Sequence, residues 1–224
     1  MALPDAWTTL NSELDLLSNV VREFAAKKAG INSASDFTIQ DECLLEGLLS
    51  RIWQTWCNFC RSCVIESCIG TIDGAGVTIP PLPGATTAEH VSGAAIRANR
   101  KTTKPPYSYW QGGPNTLLRV EPTWGDVDVL ANVLPRLRPK NFAKLLAAFS
   151  SGSSSAKALQ LIRNGTAHNN VQSLAEIQAL RSRYMVFPIG HPTHSLFWIE
   201  PHSKDFLPTQ AIEDLKDAGF AAIY

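Results

Sequence analysis

Hydrophobic residues recur at helical spacing over most of the chain. Residues 5–29 place apolar side chains three or four positions apart, and Gly30 follows them as a helix stop. A longer segment, from about Thr38 to Ile69, repeats the pattern with Leu, Ile, Trp and Cys side chains, and Asp36 precedes it as a candidate N-terminal cap. We therefore expect a long apolar helix to form the centre of the core.

The second half of the chain resumes the helical pattern. Residues 124–149 carry it with two interrupting prolines, and residues 156–163 and 171–184 continue it. The Ser-rich residues 150–155 are typical of a flexible linker, in which a Ser can also cap the next helix. The spacing thus predicts three further helical segments in this half.

The last part of the chain changes its hydrophobic period. Residues 194–200, with the sequence HSLFWIE, predict a strand, and residues 208–219 predict a short last helix that stops at Gly219. Residues 186–224 are therefore interpreted as a C-terminal β/α extension.

Glycine, proline and threonine are dense in residues 70–122. A segment this long exceeds an ordinary connection, so we interpret it as an irregular insertion that holds short helical or strand pieces. The whole pattern predicts a mainly α fold, with residues 1–224 forming a single domain. That domain is a helical bundle with a Pro/Gly-rich insertion and a small C-terminal β element.

Composition narrows the classes of function. The chain has 224 residues, of which 45% are hydrophobic, and this is enough for a well-formed core. Its formal net charge is zero, which excludes a strongly basic nucleic-acid-binding chain. Any contact with RNA must therefore use a local patch or a shape-specific site.

Targeting features and cysteines indicate a compartment. The N-terminus MALPDAWTTL lacks the basic and apolar regions of a signal peptide, and no apolar run is long enough for a membrane span. The five cysteines are an odd number, which is not typical of a disulfide framework. We expect a cytoplasmic protein without a membrane partner.

A basic run in the insertion lies beside aromatic residues. The charges are Arg97, Arg100, Lys101 and Lys104, and the aromatic side chains are Tyr107, Tyr109 and Trp110. Positive charge with stacking surfaces can grip single-stranded RNA, so the four basic residues are candidate RNA-binding residues. The alternative is a solvated loop whose aromatic side chains pack onto the bundle.

Four cysteines crowd into one segment and raise the question of a metal or iron–sulfur site. They are Cys57, Cys60, Cys63 and Cys68. On a continuous helix each step of three residues turns the side chain by about 60°, so the thiols do not converge well. We interpret them as core residues, and keep a metal- or cluster-binding sensor as an alternative.

Three histidines near the C-terminus form a second candidate metal cluster. They are His191, His194 and His202. The neighbouring Pro192 and Pro201 and the short spacing are typical of turns with surface histidines, so we predict no metal there. No cofactor is predicted anywhere in the chain.

The segment RNGTAH carries the residues with the most specific chemistry. Arg163 offers a fork of donors to phosphate oxygens, and His168 has an ordinary pKa near neutrality, which suits general acid–base catalysis. Asn164 is placed to orient the imidazole or to hold a phosphate oxygen. RNA supplies its own nucleophile, the 2′-hydroxyl, so cleavage by these groups requires no metal.

Two arrangements bring these groups together. On an unbroken helix, side chains five positions apart point about 140° away from each other. Gly165 and Thr166 are poor helix formers, so a kink between Arg163 and His168 is one possibility. The other is a symmetric dimer, in which two copies of the segment meet and two His side chains can divide the acid and base roles. The structural alternative is that Arg163 and His168 have no catalytic role and only cap a helix junction and face solvent there.

The segment resembles the motif of the HEPN superfamily of helical ribonucleases. In that motif four to six residues separate an Arg from a His, and the first of them is polar. Arg163, Asn164 and His168 match the version with four intervening residues. The long apolar helix upstream and the amphipathic helix downstream are also similar to that family. The resemblance covers residues 5–69 and 124–185.

This resemblance implies a helical bundle, a homodimer with a composite site and metal-independent endoribonuclease activity on RNA, with tRNA among the candidates. It also implies a role in toxin–antitoxin or antiviral defence systems, with an antitoxin or defence-complex partner. Asn170 stands where some of these toxins carry a modified Tyr, so the resemblance does not extend to that feature. The alternative function is a non-catalytic RNA-binding or assembly subunit of a defence complex.

Overall fold

The computed structural model describes residues 2–28, 30, 33–100, 109–168 and 170–224. Helix dominates this part of the chain, which confirms the predicted mainly α fold. The helices are α1 (Leu3–Lys27), α2 (Ile39–Ile69), α3 (Ala88–Asn99), α4 (Val127–Leu137), α5 (Phe142–Ser151), α6 (Ser153–His168), α7 (Val171–Gln178) and α8 (Leu207–Ile223).

Regular β structure is confined to short pieces within the described residues. Strands β1 (Thr71–Ile72) and β2 (Thr78–Ile79) pair antiparallel, and the carboxylate of Asp73 accepts backbone N–H bonds that close the turn between them. Two isolated bridges, Met185 with Ile199 and Ile199 with Phe206, form the C-terminal β element.

The chain divides into two compact units. Unit 1 holds Met1–Asn11, Trp56–Ser153 and Asp217–Tyr224, and unit 2 holds Ser12–Thr55 and Ser154–Lys216. The described residues of the insertion, 70–100 and 109–122, fall in unit 1, where they form β1, β2 and α3 and a 3₁₀ turn at Leu118–Val120.

Aromatic side chains form the core of unit 1. Trp56 is fully buried, and its ring meets Phe149 edge-on with a centroid distance of 5.8 Å. Its indole N–H donates to the carbonyl of Gly125 over 3.2 Å, so the polar atom of this large side chain is satisfied inside the core. Arg61 forms a two-pronged ion pair with the buried Glu121 carboxylate, with N···O distances of 2.7 and 2.8 Å.

The core of unit 2 collects side chains from helices and 3₁₀ turns. Phe197, on the 3₁₀ helix Pro192–Phe197, packs against Phe24, Phe37 and Phe206 with centroid distances of 5.4, 5.3 and 5.2 Å. Most buried residues of α6 recur at helical spacing as one stripe: Ser155, Ala158, Leu159, Ile162 and Gly165. Ala156, near the start of the helix, is buried outside this stripe, whereas in the last two turns the stripe lies opposite the exposed residues.

Several local predictions were wrong. The cap of α2 is Thr38, whose hydroxyl accepts the N–H of Asp41, whereas Asp36 caps a separate 3₁₀ turn with Ser33. Residues 150–155 are not a linker, because α5 and α6 run through them with Gly152 alone between. These serines remain in helices because the apolar residues on either side of them are buried in the two units.

The C-terminal elements also differ from the sequence prediction. Most of the HSLFWIE segment is 3₁₀ helix, and strand pairing is limited to a bridge at Ile199. Helix α8 continues past Gly219 to Ile223. A Cβ on Gly219 would lie 2.5 Å from the Leu10 side chain, so this glycine allows α1 and α8 to pack closely and does not end the helix.

Candidate functional site

The RNGTAH segment forms the last turns of α6. The helix is continuous from Ser153 to His168, so the predicted kink at Gly165 is wrong. Gly165 is buried, and a Cβ there would lie 2.7 Å from the Ile177 side chain and 3.4 Å from Pro192. The glycine therefore permits close packing of α6 on these two residues, and this packing keeps the helix straight where local propensity alone favoured a break.

The polar residues of the motif share the solvent-facing arc of α6. Arg163, Asn164 and His168 are exposed, as is Ala167. At about 100° per residue, Arg163 and His168 lie at the two edges of an arc of about 140°, with Ala167 and Asn164 between them. Within one copy the guanidinium and the imidazole therefore point apart, and the small Ala167 leaves the middle of the arc open.

Hydrogen bonds link the motif internally. One guanidinium nitrogen of Arg163, Nη1, donates to the side-chain oxygen of Asn164 over 3.3 Å. The hydroxyl of Thr166 donates to the Arg163 carbonyl over 2.7 Å. Asn164 thus contacts the side chain of Arg163.

Helix α7 starts directly after the motif. Asn170 is its N-cap and accepts the N–H of Ser173 over 2.9 Å, while the Ser173 hydroxyl completes a capping box. The residue that departs from the toxin pattern therefore has a structural role here, because it caps the start of α7.

The basic run of the insertion is only partly a free surface. The guanidinium of Arg97 donates to the carbonyls of Tyr109, Gly112 and Gly113 over 2.8, 3.3 and 3.1 Å. Tyr109 is buried, as the alternative interpretation of this loop expected for its aromatic residues. Arg100 is exposed. Lys101 and Lys104, with Tyr107, lie outside the described residues.

The cysteine cluster is part of the core of unit 1. Cys60, Cys63 and Cys68 are fully buried, and burial raises the pKa of each thiol. This burial confirms the core interpretation for these three residues, and such neutral thiols are poor nucleophiles. Among the described residues, no group of three or more His, Cys, Asp or Glu side chains is arranged to hold a metal ion.

The prediction of surface histidines was wrong for His194, which is buried in unit 2. Its Nε2 lies 2.9 Å from a carboxylate oxygen of Glu42, and its Nδ1 accepts the N–H groups of Gly190 and His191, each over 3.3 Å. Phe37 stacks on the ring with a centroid distance of 4.4 Å. His194 therefore holds the turn that presents Pro192 to Gly165.

Unit 2 contains an open cavity with polar residues that was not predicted from the sequence. It lies between the start of α6, residues 182–184, the turn at residues 200–203 and α8. Its residues come from four separate stretches without any shared spacing, so no sequence pattern signals it. The unusual density of Ser in residues 150–155 was the one available cue, and it pointed to a linker instead.

Fold and site define a mainly α-helical protein with a polar Arg–Asn–His arc at the end of one helix. No family model, curated protein or solved structure matches the chain. Among its described helices, none combines the length and apolar character that crossing a membrane requires.

Proposed function

We propose that this protein is a metal-independent endoribonuclease whose site is completed by two copies of the RNGTAH segment. The proposal is carried by one observation: Arg163, Asn164 and His168 share an exposed arc that one copy leaves open. Because α6 is unkinked, the symmetric dimer is the remaining way to bring guanidinium and imidazole together.

Helix geometry supports such a dimer. When two identical arcs face each other across a twofold axis parallel to the helices, the left edge of one arc meets the right edge of the other. Arg163 then faces His168 of the partner subunit, with an axial offset of about 7.5 Å. A phosphodiester fits between the two groups, and Ala167 allows the helices to approach.

The chemistry assigned to this pair is transesterification. His168 takes the proton of the RNA 2′-hydroxyl, and the 2′-oxygen forms a bond to phosphorus while the bond to the 5′-oxygen breaks. The same imidazole returns the proton to the departing 5′-oxygen, which leaves a 2′,3′-cyclic phosphate. Arg163 stabilises the charge on the phosphoryl oxygens, and Asn164 positions the guanidinium through the contact observed in α6.

The resemblance to HEPN proteins extends the proposal to a biological role. A ribonuclease of this type acts as a toxin or antiviral effector, held in check by an antitoxin or a defence-complex partner. Arg100, which is exposed on unit 1, is a candidate contact for the RNA backbone in this scheme.

Cleavage of RNA in the presence of EDTA tests the activity. We expect the wild type to cleave total RNA or tRNA and to leave cyclic phosphate ends. His168→Ala and Arg163→Ala should each lower the rate by about 100-fold or more, the range typical for loss of an acid–base or charge-stabilising group.

Matched controls are available on other surfaces. Arg22 is an exposed Arg on α1, and His90 is a partly exposed His on α3. Arg22→Ala and His90→Ala should cleave at the wild-type rate. Equal cleavage by the wild type and both motif variants would show that the activity is not at this site, and RNA binding without cleavage would favour the non-catalytic alternative.

A further inference from the structure

The open polar cavity of unit 2 has the size and chemistry of a small-ligand site. Its volume is about 630 Å³, within the range of roughly 300–1,000 Å³ common for such sites. All of its lining residues except Pro201 have polar side chains, although more of the lining surface is apolar than polar, and Tyr184 and His202 contribute rings.

Asp214 organises one wall of the cavity. The hydroxyl of Ser155 donates to one oxygen of this carboxylate, and the side-chain amide of Gln210 donates to the other over 2.9 Å. Each carboxylate oxygen thus accepts one hydrogen bond. Ser155 has given its single O–H to Asp214 and keeps its oxygen as an acceptor, whereas Gln210 keeps both a second amide N–H as a donor and its carbonyl oxygen as an acceptor.

Tyr184 and Arg183 add a hydrogen-bond donor and a positive charge to the lining. Burial raises the pKa of the Tyr184 phenol, and the Asp214 and Glu200 carboxylates raise it further, against the effect of Arg183. The phenol therefore remains protonated and available as a donor at neutral pH. Arg183 is an exposed cation at the rim.

The charge balance selects the kind of ligand. Two carboxylates, Glu200 and Asp214, face one permanent cation, Arg183, which disfavours a phosphate inside the cavity. A neutral ligand with hydroxyl groups and a flat ring that carries donors and acceptors fits better. A ribonucleoside has this chemistry, with its ring able to lie against Tyr184 and its edge able to meet Gln210.

Helix α6 contributes residues both to the cavity and to the RNGTAH segment. Ser155 lies at the start of α6, whereas Arg163 and His168 lie near its end, so about 12 to 20 Å of helix separates them. We infer that the cavity binds one ribonucleoside of an RNA chain, a few nucleotides from the phosphodiester that the motif cleaves. This inference rests on the proposed function for the identity of the chain.

Binding of single nucleosides tests the cavity without any cleavage. The four ribonucleosides are titrated into the full-length protein by calorimetry, with a short uncleavable 2′-O-methyl oligonucleotide as competitor. We expect at least one ribonucleoside to bind with a Kd on the order of 1 mM or tighter. Gln210→Leu and Tyr184→Phe should each weaken it by about tenfold, the effect of losing roughly one good hydrogen bond.

A matched control separates the cavity from general effects on the protein. Gln172 is exposed on α7 and hydrogen-bonds to Glu176 in the same helix, so Gln172→Leu should bind nucleosides as the wild type does. Thermal unfolding of each variant checks that it is folded. If Gln210→Leu does not fold, the more conservative Tyr184→Phe still tests the cavity.

The outcomes distinguish the cavity from the cleavage site. Absence of saturable nucleoside binding to the wild type, or equal binding by both cavity variants, overturns the inference even where RNA is cleaved. Nucleoside binding that the oligonucleotide does not displace also overturns it, because the ligand is then a free nucleoside. Cavity-dependent, displaceable binding supports it, and a lack of cleavage in that case contradicts only the proposed ribonuclease.

Discussion

Individual polar residues of unit 2 are held in defined protonation states by their neighbours. His194 uses Nε2 to contact Glu42 and Nδ1 to accept two backbone N–H groups, so a second ring proton has no acceptor at Nδ1. Burial lowers the pKa of His194 from its ordinary value of 6.5, and the nearby His191 lowers it further, against the effect of Glu42. The folded protein therefore favours the neutral imidazole.

This arrangement makes stability depend on pH. Because the pKa is lower in the folded than in the unfolded chain, the stabilisation is complete above pH 6.5 and is lost as the pH falls through the folded value. We expect the free energy of unfolding to decrease from about pH 7.5 to about pH 5.5, and His194→Gln to flatten this slope. Denaturant unfolding across this range measures it, with His202→Gln, on an exposed turn, as the control that keeps the wild-type slope.

Packing between elements explains which helices were predicted correctly and which glycines were misinterpreted. The helical spacing of Leu10 and Leu14 in α1, and of Ile52 and Trp56 in α2, reports burial directly, so these helices were predicted to within a few residues. Gly165 and Gly219 were interpreted as breakers because propensity is local, whereas their actual neighbours are distant in sequence. The residues of the motif were identifiable from their types and spacing, but their directions on α6 were not.

The contact between α6 and α7 can be tested with a double-mutant cycle. Gly165→Ala adds a methyl group 2.7 Å from the terminal methyl of the buried Ile177, which should cost more than the gain in helix propensity and lower stability by about 1 kcal/mol. Ile177→Val removes that terminal methyl. In the Ile177→Val background, Gly165→Ala should instead raise stability by up to about 1 kcal/mol. Urea unfolding of the four proteins measures both effects, and the same sign in both backgrounds would refute the packing account.

For the molecule as a whole, the proposed ribonuclease requires that two copies of the chain together form the site. An unkinked α6 directs Arg163 and His168 about 140° apart, so neither residue completes a site for the other within one copy. The formal net charge of zero gives the chain no broadly basic surface, so any RNA contact depends on a local site, and this charge favours the non-catalytic alternative over the ribonuclease.

Mixing two inactive variants tests whether the two copies share the proposed site. His168→Ala and Arg163→Ala are co-refolded, or exchanged as dimers, and RNA cleavage is measured in EDTA against each variant alone. A mixed dimer keeps one intact pair, Arg163 from one copy and His168 from the other, so cleavage should return to about a quarter of the wild-type rate at equal mixing. Failure to recover activity, although mixed dimers have formed, would contradict the shared site.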